Sequence, residues 1–222
     1  MEFESAVMQR LSEGLVYLDE HLLVLDKPAG LLAVPGRGPD KQDCLAARAQ
    51  RLWPDARVVH RLDMATSGLF LMARGEAMQR CLGALFEARA VHKRYVAVVA
   101  GHVAPPPGEW GEIDLPLAAD WPRRPMQKVD AEQGRPSLTR WRVLAHDAAA
   151  GTTRLALEPV TGRSHQLRVH LLALGHPILG DALYAPPEVR DQAPRLLLHA
   201  AQLGFTHPAT GDEVAFESAP PF

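Results

Sequence analysis

Cysteine is nearly absent from this chain. Cys44 and Cys81 are the two present among 222 residues, and neither belongs to a C-x-x-C pair. Neither a disulfide framework nor a cysteine-based zinc site is therefore indicated. Long apolar runs are missing too: nothing approaches the roughly 20 consecutive residues that a membrane helix needs. The opening Met1-Glu2-Phe3-Glu4-Ser5 is acidic where a secretory signal would be basic and then apolar. These absences lead to the expectation of a cytoplasmic protein without membrane contact. There is no excess of positive charge either. Twenty-four lysines and arginines face 26 aspartates and glutamates, for a formal net charge of −2 and a pI near 6.5. Basic domains are the usual footprint of nucleic-acid binding, so an RNA or DNA partner would have to be gripped by local clusters. Val34-Pro35-Gly36-Arg37-Gly38-Pro39 is glycine-rich but lacks the spacing and the Lys-Ser/Thr of a phosphate loop. Internal repeats, low-complexity segments and a strong domain boundary are also missing.

What is present suits a folded globule. An apolar fraction of 47% supports one sizeable core, or two halves sharing a sheet. Leu15 to Leu18 and Leu22 to Leu25, separated by Asp19-Glu20-His21, read as two strands and a tight turn. Leu45 to Leu52 reads as a short helix stopped before Pro54. Met78, Cys81, Leu82, Leu85 and Phe86 fall at helical spacing and predict an amphipathic helix with one face on a sheet. Lys93 to Val99 is a strand of high β propensity, and Gly101 to Gly108 is a short connection. Ser137 to Leu144 and Thr153 to Leu157 alternate around Gly151 and predict a hairpin with one wet face. Leu167, Leu171 and Leu174 form a helical stripe with Arg168 on another face and Gly175 as the C′ residue. The chain closes with a strand near Leu196 to Ala200 and a pair joining Phe205-Thr206 to Val214-Ala215-Phe216. Many strands and few helices, without regular βαβ alternation, predict an α+β fold with a largely antiparallel or mixed sheet.

Three stretches carry chemistry. In Val58 to Met72, His60, Arg61 and Asp63 fall within four residues, followed by Thr66-Ser67-Gly68 and the strand Leu69 to Met72. A solvated loop would explain an isolated Arg-x-Asp. A carboxylate half-buried between two strands would need a partner, and Arg168, far along the chain, is the best candidate. An adjacent guanidinium would keep Asp63 ionised and oriented, fit to act as a nucleophile or base. Tyr95 reads either as a partly exposed strand aromatic or as a flat face for a planar substrate. Asp120-Trp121-Pro122-Arg123-Arg124-Pro125-Met126-Gln127-Lys128 holds two prolines that bar a helix, so it reads as an extended arm with three cations and an indole. That set suits a phosphate backbone and a stacked base, or simply solvent. His165 and His170 are five apart, not the i, i+4 of helical zinc pairs. The residues alone thus lead to a cofactor-free reaction at a carboxylate. Their rivals are a metal-dependent hydrolase using His60, Asp63, His165 and His170, and a non-catalytic RNA-binding or ribosome-assembly protein.

His60-Arg61-Leu62-Asp63-Met64-Ala65-Thr66-Ser67-Gly68 resembles the catalytic-aspartate motif of the RluA family of pseudouridine synthases. Lys27-Pro28-Ala29-Gly30-Leu31 is similar to that family's first motif, Lys93-Arg94-Tyr95 to its tyrosine motif, and Thr161 to His170 to its arginine motif. Gly175-His176-Pro177-Ile178-Leu179-Gly180-Asp181 and Leu197-Leu198-His199-Ala200 match its downstream signatures, in the same order. The resemblance implies a pseudouridine-synthase-like fold, a mixed and largely antiparallel central sheet flanked by helices and loops. It implies isomerisation of uridine in RNA without cofactor or metal. Asp63 would be the essential carboxylate, Tyr95 would stack on the uracil, and Arg168 would pair with Asp63. Arg61 would fill the gap left by a flipped nucleotide. Arg123, Arg124, Lys128, Arg163, His165 and Gln166 would contact RNA. Many relatives carry an N-terminal S4-type RNA-binding module. About 14 residues precede the first strand here, so the expectation is a tail over 1–14 and a single catalytic domain over 15–222. Val34-Pro35-Gly36-Arg37 and the 120–128 arm resemble the ribosomal large subunit pseudouridine synthase A branch. That branch implies 23S rRNA and tRNA anticodon-type stem-loops as partners, with no obligatory protein partner.

Overall fold

The first two strands are joined by a turn that Asp19 builds with its own carboxylate. Its Oδ1 accepts the backbone N–H groups of His21 and Leu22, each at 2.6 Å. The computed structural model describes residues 14–106 and 108–222. The tail expected over 1–14 thus lies, Gly14 apart, outside the described residues. β1 (Leu15–Leu18) and β2 (Leu22–Lys27) pair antiparallel as expected. α1 (Leu45–Leu52) begins at Cys44, whose sulfur accepts the Ala47 N–H, and it ends ahead of Pro54. β3 (Ala56–Val58), β4 (Ser67–Arg74) and α2 (Gly75–Glu87) follow. On α2, Met78 and Leu82 are buried and Leu85 and Phe86 pack against the same core. Cys81, expected on that stripe, is exposed, because it falls at the edge of the apolar sector.

β5 (His92–Ala100), β6 (Gly111–Asp114), β7 (Leu117–Ala119), β8 (Gln127–Val129), β9 (Leu138–Asp147) and β10 (Thr152–Pro159) come next. α3 (Gln166–Ala173) and the one-turn α4 (Pro187–Arg190) follow, then β11 (Leu198–Thr206) and β12 (Glu213–Glu217). The chain forms two compact units, residues 14–92 with 200–220 and residues 93–199 with 221–222.

In the first unit the strands run β1-β2-β4-β11, with β3 also on β4 and β12 on β11. Leu22, Val24, Leu69, Leu71, Phe205 and Phe216 close its core. Each such side chain, fully buried, stabilises the fold by about 1.5–3 kcal/mol. Gly68, the second residue of β4, has φ 108, and a Cβ there would collide with the backbone of Ala200. Only glycine permits that approach.

In the second unit the order is β5-β10-β9-β6, and β7 and β8 make a separate two-stranded ribbon. The β9–β10 hairpin turns at Gly151, φ 62. Its wet face is narrower than the alternation predicts. Arg140, Arg142 and Glu158 are half-buried there, and Ala156, opposite Arg142, is buried. The named ladders are antiparallel, and Leu32 and Cys44 add a parallel bridge. The fold class is α+β with a mixed, largely antiparallel sheet, as expected. Among the described residues no helix is long and apolar enough to cross a membrane.

Candidate active site

The segment between β3 and β4 alternates in what it buries. His60 turns inward: its Nε2 accepts the Leu71 N–H at 2.9 Å, and its ring stacks on Phe86 with centroids 4.9 Å apart. Leu62 is buried as well. Arg61 between them is exposed, Asp63 is half-buried and Met64 is exposed. The Thr66 N–H donates to the Asp63 carbonyl at 3.1 Å, and the Gly30 N–H donates to the Met64 carbonyl at 2.8 Å.

Beneath this loop lies Lys27, which is 0% exposed. Its Nζ donates to the carbonyls of Pro28 (2.9 Å), Leu31 (2.7 Å) and Met64 (3.1 Å). An ammonium offers three donors, and buried charge is tolerated only when so engaged. The first motif is thereby tied to the backbone one residue from Asp63. The motif resemblance singles out Lys27, but the sequence carries no sign of its burial, since a lysine at a strand exit ordinarily meets water.

Arg168 departs from the expected amphipathic pattern. Gln166 through Leu171 are all buried, so the first turns of α3 are covered on every side, while Leu174, expected on the core stripe, is exposed. Arg168 is 4% exposed and Asp181 1%, and they form a bidentate pair at 2.8 and 2.5 Å. Asp181 Oδ1 also accepts the N–H groups of Leu183 and Tyr184. The Tyr184 ring lies 4.9 Å from the guanidinium carbon. A planar fork meeting a carboxylate is the arrangement that keeps a buried arginine charged and fixed.

His165 leads into α3 with φ 55, and its Nδ1 shares a 2.6 Å hydrogen bond with the Tyr184 hydroxyl. Gln166 is 4% exposed. Its Oε1 accepts from Thr161 Oγ1 and the Arg163 N–H, and its Nε2 donates to the Leu138 carbonyl and Thr139 Oγ1. Its amide thus holds the loop together. Arg163 is half-buried, with Nε 3.4 Å from the Pro136 carbonyl. His170 Nδ1 faces Thr139 Oγ1 at 2.9 Å and Nε2 faces the Leu115 carbonyl at 3.0 Å, and burial pushes its pKa below the usual imidazole value.

Tyr95, half-buried on β5, lies opposite Leu157. Arg94 beside it points to the other face and pairs with Glu158 at 2.7 Å. The 120–128 segment is not simply extended. Trp121–Arg123 makes a turn of 3-10 helix with Pro122 in its first positions, where no N–H is needed. Gln127–Val129 then pairs with Leu117–Ala119. Trp121 is 67% exposed, and the Arg124 guanidinium stacks 3.3 Å from its ring centroid. Arg123 pairs with Asp120 and Lys128 with Asp130.

Asp63 and Arg61 belong to the first unit, and the other expected site residues to the second. Within the second, His165, Arg168 and the base of the ribbon meet around Tyr184, a residue the motif reading passed over. The hydrolase alternative fares poorly. His60 Nε2 and both ring nitrogens of His170 are committed to partners of the fold. Among the described residues no three His, Cys, Asp or Glu side chains gather as a ligand set.

A family model described as RNA pseudouridylate synthase matches residues 21–173. The dual-specificity RNA pseudouridine synthase RluA of Escherichia coli K12 is 53% identical over 208 residues, covering 94% of this chain and 93% of that protein. Its Yersinia pestis counterpart is 50% identical, covering 91% and 96%. Among solved structures, human RNA pseudouridylate synthase domain containing 1 superposes with a TM-score of 0.76 at 31% identity, covering 94% of this chain and 84% of that one. Human RNA pseudouridylate synthase domain containing 4 gives 0.78 at 25%, covering 100% and 94%. The chain belongs to the RNA pseudouridylate synthase family, enzymes that isomerise uridine to pseudouridine in RNA.

Proposed function

We propose that this enzyme modifies specific uridines in stem-loops of 23S rRNA and tRNA, and that residues 15–222 work as a single catalytic domain. Asp63 is the essential carboxylate, Tyr95 the platform under the uracil, and Arg168 the guanidinium that pairs with Asp63. The observation that carries the site reading is the state of Asp63. It is a half-buried carboxylate on a loop whose backbone is pinned by Lys27, Gly30 and Thr66. The dual-specificity relatives support the choice of RNA.

The reaction keeps every atom. The C1′–N1 bond breaks with its electron pair leaving on uracil, and the ring turns while held. C5 then bonds to C1′, C5 gives up its proton, and N1 takes one. Asp63 acts at the sugar, either as a nucleophile whose ester bond to C1′ breaks as C5 bonds there, or as a base that takes the C2′ proton and returns it once C5 has bonded. Both routes require it ionised, which a guanidinium partner favours. The target nucleotide is flipped from its stack and Arg61, exposed on the same loop, fills the gap. Arg123, Arg124, Lys128, Arg163 and His165 grip the phosphates and flanking bases. Gln166 serves by holding their loop. No cofactor, membrane or obligatory protein partner enters this scheme, and the cytoplasm, where ribosomal and transfer RNA reside, is its setting.

Mapping pseudouridine in total RNA from cells with and without the gene tests the targets, and sites found in neither 23S rRNA nor tRNA overturn them. For the chemistry, Asp63→Asn is expected to abolish product while RNA affinity stays near wild type. Turnover near wild type in that variant would sink the assignment.

A further inference from the structure

The downstream motif that ends in Asp181 runs on to Tyr184, whose phenol has no part in the scheme above. Tyr184 is 7% exposed. Its ring packs with Leu117 of β7 and Val169 of α3, and Met126 closes the cluster. Its hydroxyl accepts the backbone N–H of Gln127, the first residue of β8 and the neighbour of Lys128, at 2.8 Å. The same hydroxyl shares the 2.6 Å hydrogen bond with His165 Nδ1. The ring lies 4.9 Å from the Arg168 guanidinium carbon, and the Tyr184 N–H donates to the carboxylate of Asp181 that holds it. A phenylalanine would supply the same packing. A buried phenol costs desolvation free energy unless its oxygen is bonded, and here it joins two backbone segments that carry expected RNA contacts.

The geometry points to Tyr184 as a positioning residue that fixes the RNA-gripping ribbon to the catalytic arginine. Its hydroxyl anchors the β8 end and the entry of α3, and its ring supports the Arg168 guanidinium. RNA held through Arg124 and Lys128 then presents its uridine at one place relative to Arg168. The inference rests on the roles proposed above for Arg168 and the arm.

The two functions of the side chain can be separated. Steady-state kinetics would use rRNA and tRNA purified from cells lacking the gene, whichever uridines they carry. Tyr184→Phe keeps the ring and removes the anchor. KM is expected to rise about tenfold, the loss of roughly one well-made hydrogen bond, with kcat within about twofold. Tyr184→Leu also removes the ring and is expected to lower kcat by a further tenfold or so. Because the anchor acts through the ribbon, Lys128→Ala should weaken binding less in the Tyr184→Phe background than in wild type. Tyr184→Phe lowering kcat with KM unchanged, or fold-changes of the two substitutions that simply multiply, would overturn the inference. Should Tyr184→Leu not fold, the phenylalanine variant and the double-mutant cycle decide alone. Arg168→Met, measured alongside, keeps the two levels apart. Full activity there overturns the site reading together with this inference, whereas an inactive Arg168→Met with a multiplicative cycle overturns the inference alone.

Discussion

Lys27 and Arg168 are both cations sealed from solvent, one in each unit, and they are satisfied by different chemistry. Lys27 converges on three backbone carbonyls, and Arg168 forms a bidentate pair with the Asp181 carboxylate. A compact ammonium with three rotatable donors suits oxygens arriving from three directions, while a planar guanidinium suits a coplanar pair. The difference has consequences for the site. In the first unit a charge organises backbone, and so shapes the loop that carries Asp63. In the second a carboxylate organises a charge, and so aims the side chain itself.

The two cations are expected to respond unequally to loss of a partner. Asp181→Asn leaves the guanidinium buried beside a neutral amide, and the expected loss is about 3–5 kcal/mol of unfolding free energy. Urea denaturation measures it, and a loss below about 1 kcal/mol would show that Asp181 is not what holds the charge. Lys27→Met removes a charge and its acceptors' donor together. The expected cost is smaller, about 2–3 kcal/mol from carbonyls left unmet, with activity falling further than stability as the Asp63 loop loosens. Lys27→Arg should not restore that activity, because a fork does not fit three converging carbonyls. Recovery to wild-type kcat would erase the distinction between the two cations.

Two weaker effects sharpen the comparison. His170 is held neutral by burial, its pKa pushed below the ordinary 6.5. The unfolded chain takes up that proton before the native one does, so the stability His170 confers is complete above pH 6.5. It is lost as pH falls from there through the lowered native value. A His170→Asn variant should flatten the decline in melting temperature over this acidic window, and an unchanged slope would assign the decline elsewhere. Lys128→Ala touches neither buried cation. The expected outcome is an unchanged unfolding midpoint, weaker RNA binding, and a log affinity against log salt slope reduced by about one unit.

The parts of the fold that sequence foretold are those whose causes are local. The Asp19 turn, the helix stopped before Pro54 and the Gly151 hairpin depend on neighbours within a few residues. The apolar spacing of α2 was equally plain, except at Cys81 on its margin. What escaped detection depends on distant partners. The burial of Lys27 has no local sign because Met64, whose carbonyl it binds, is 37 residues away. Arg168 reads as the polar side of an amphipathic helix because nothing in α3 announces Asp181. Prolines 122 and 125 correctly excluded a regular helix, yet they could not reveal that Gln127–Val129 finds β7 as a partner. Asp63 itself was legible as a motif, whereas the scaffolding that immobilises its loop was not.

The discontinuity of the first unit sets an order for its assembly on the ribosome. Residues 93–199 emerge as one uninterrupted stretch, with every strand of the β5-β10-β9-β6 sheet already made. The amino-terminal strands have no such completeness. Leu22, Val24, Leu69 and Leu71 lack Phe205 and Phe216 until the final hairpin is synthesised, and Gly68 has no Ala200 to approach. The segment bearing Asp63 is therefore translated early and finished last. A nascent chain truncated before β11 carries the Asp63 loop in full but lacks Phe205 and Phe216 to close this unit's core.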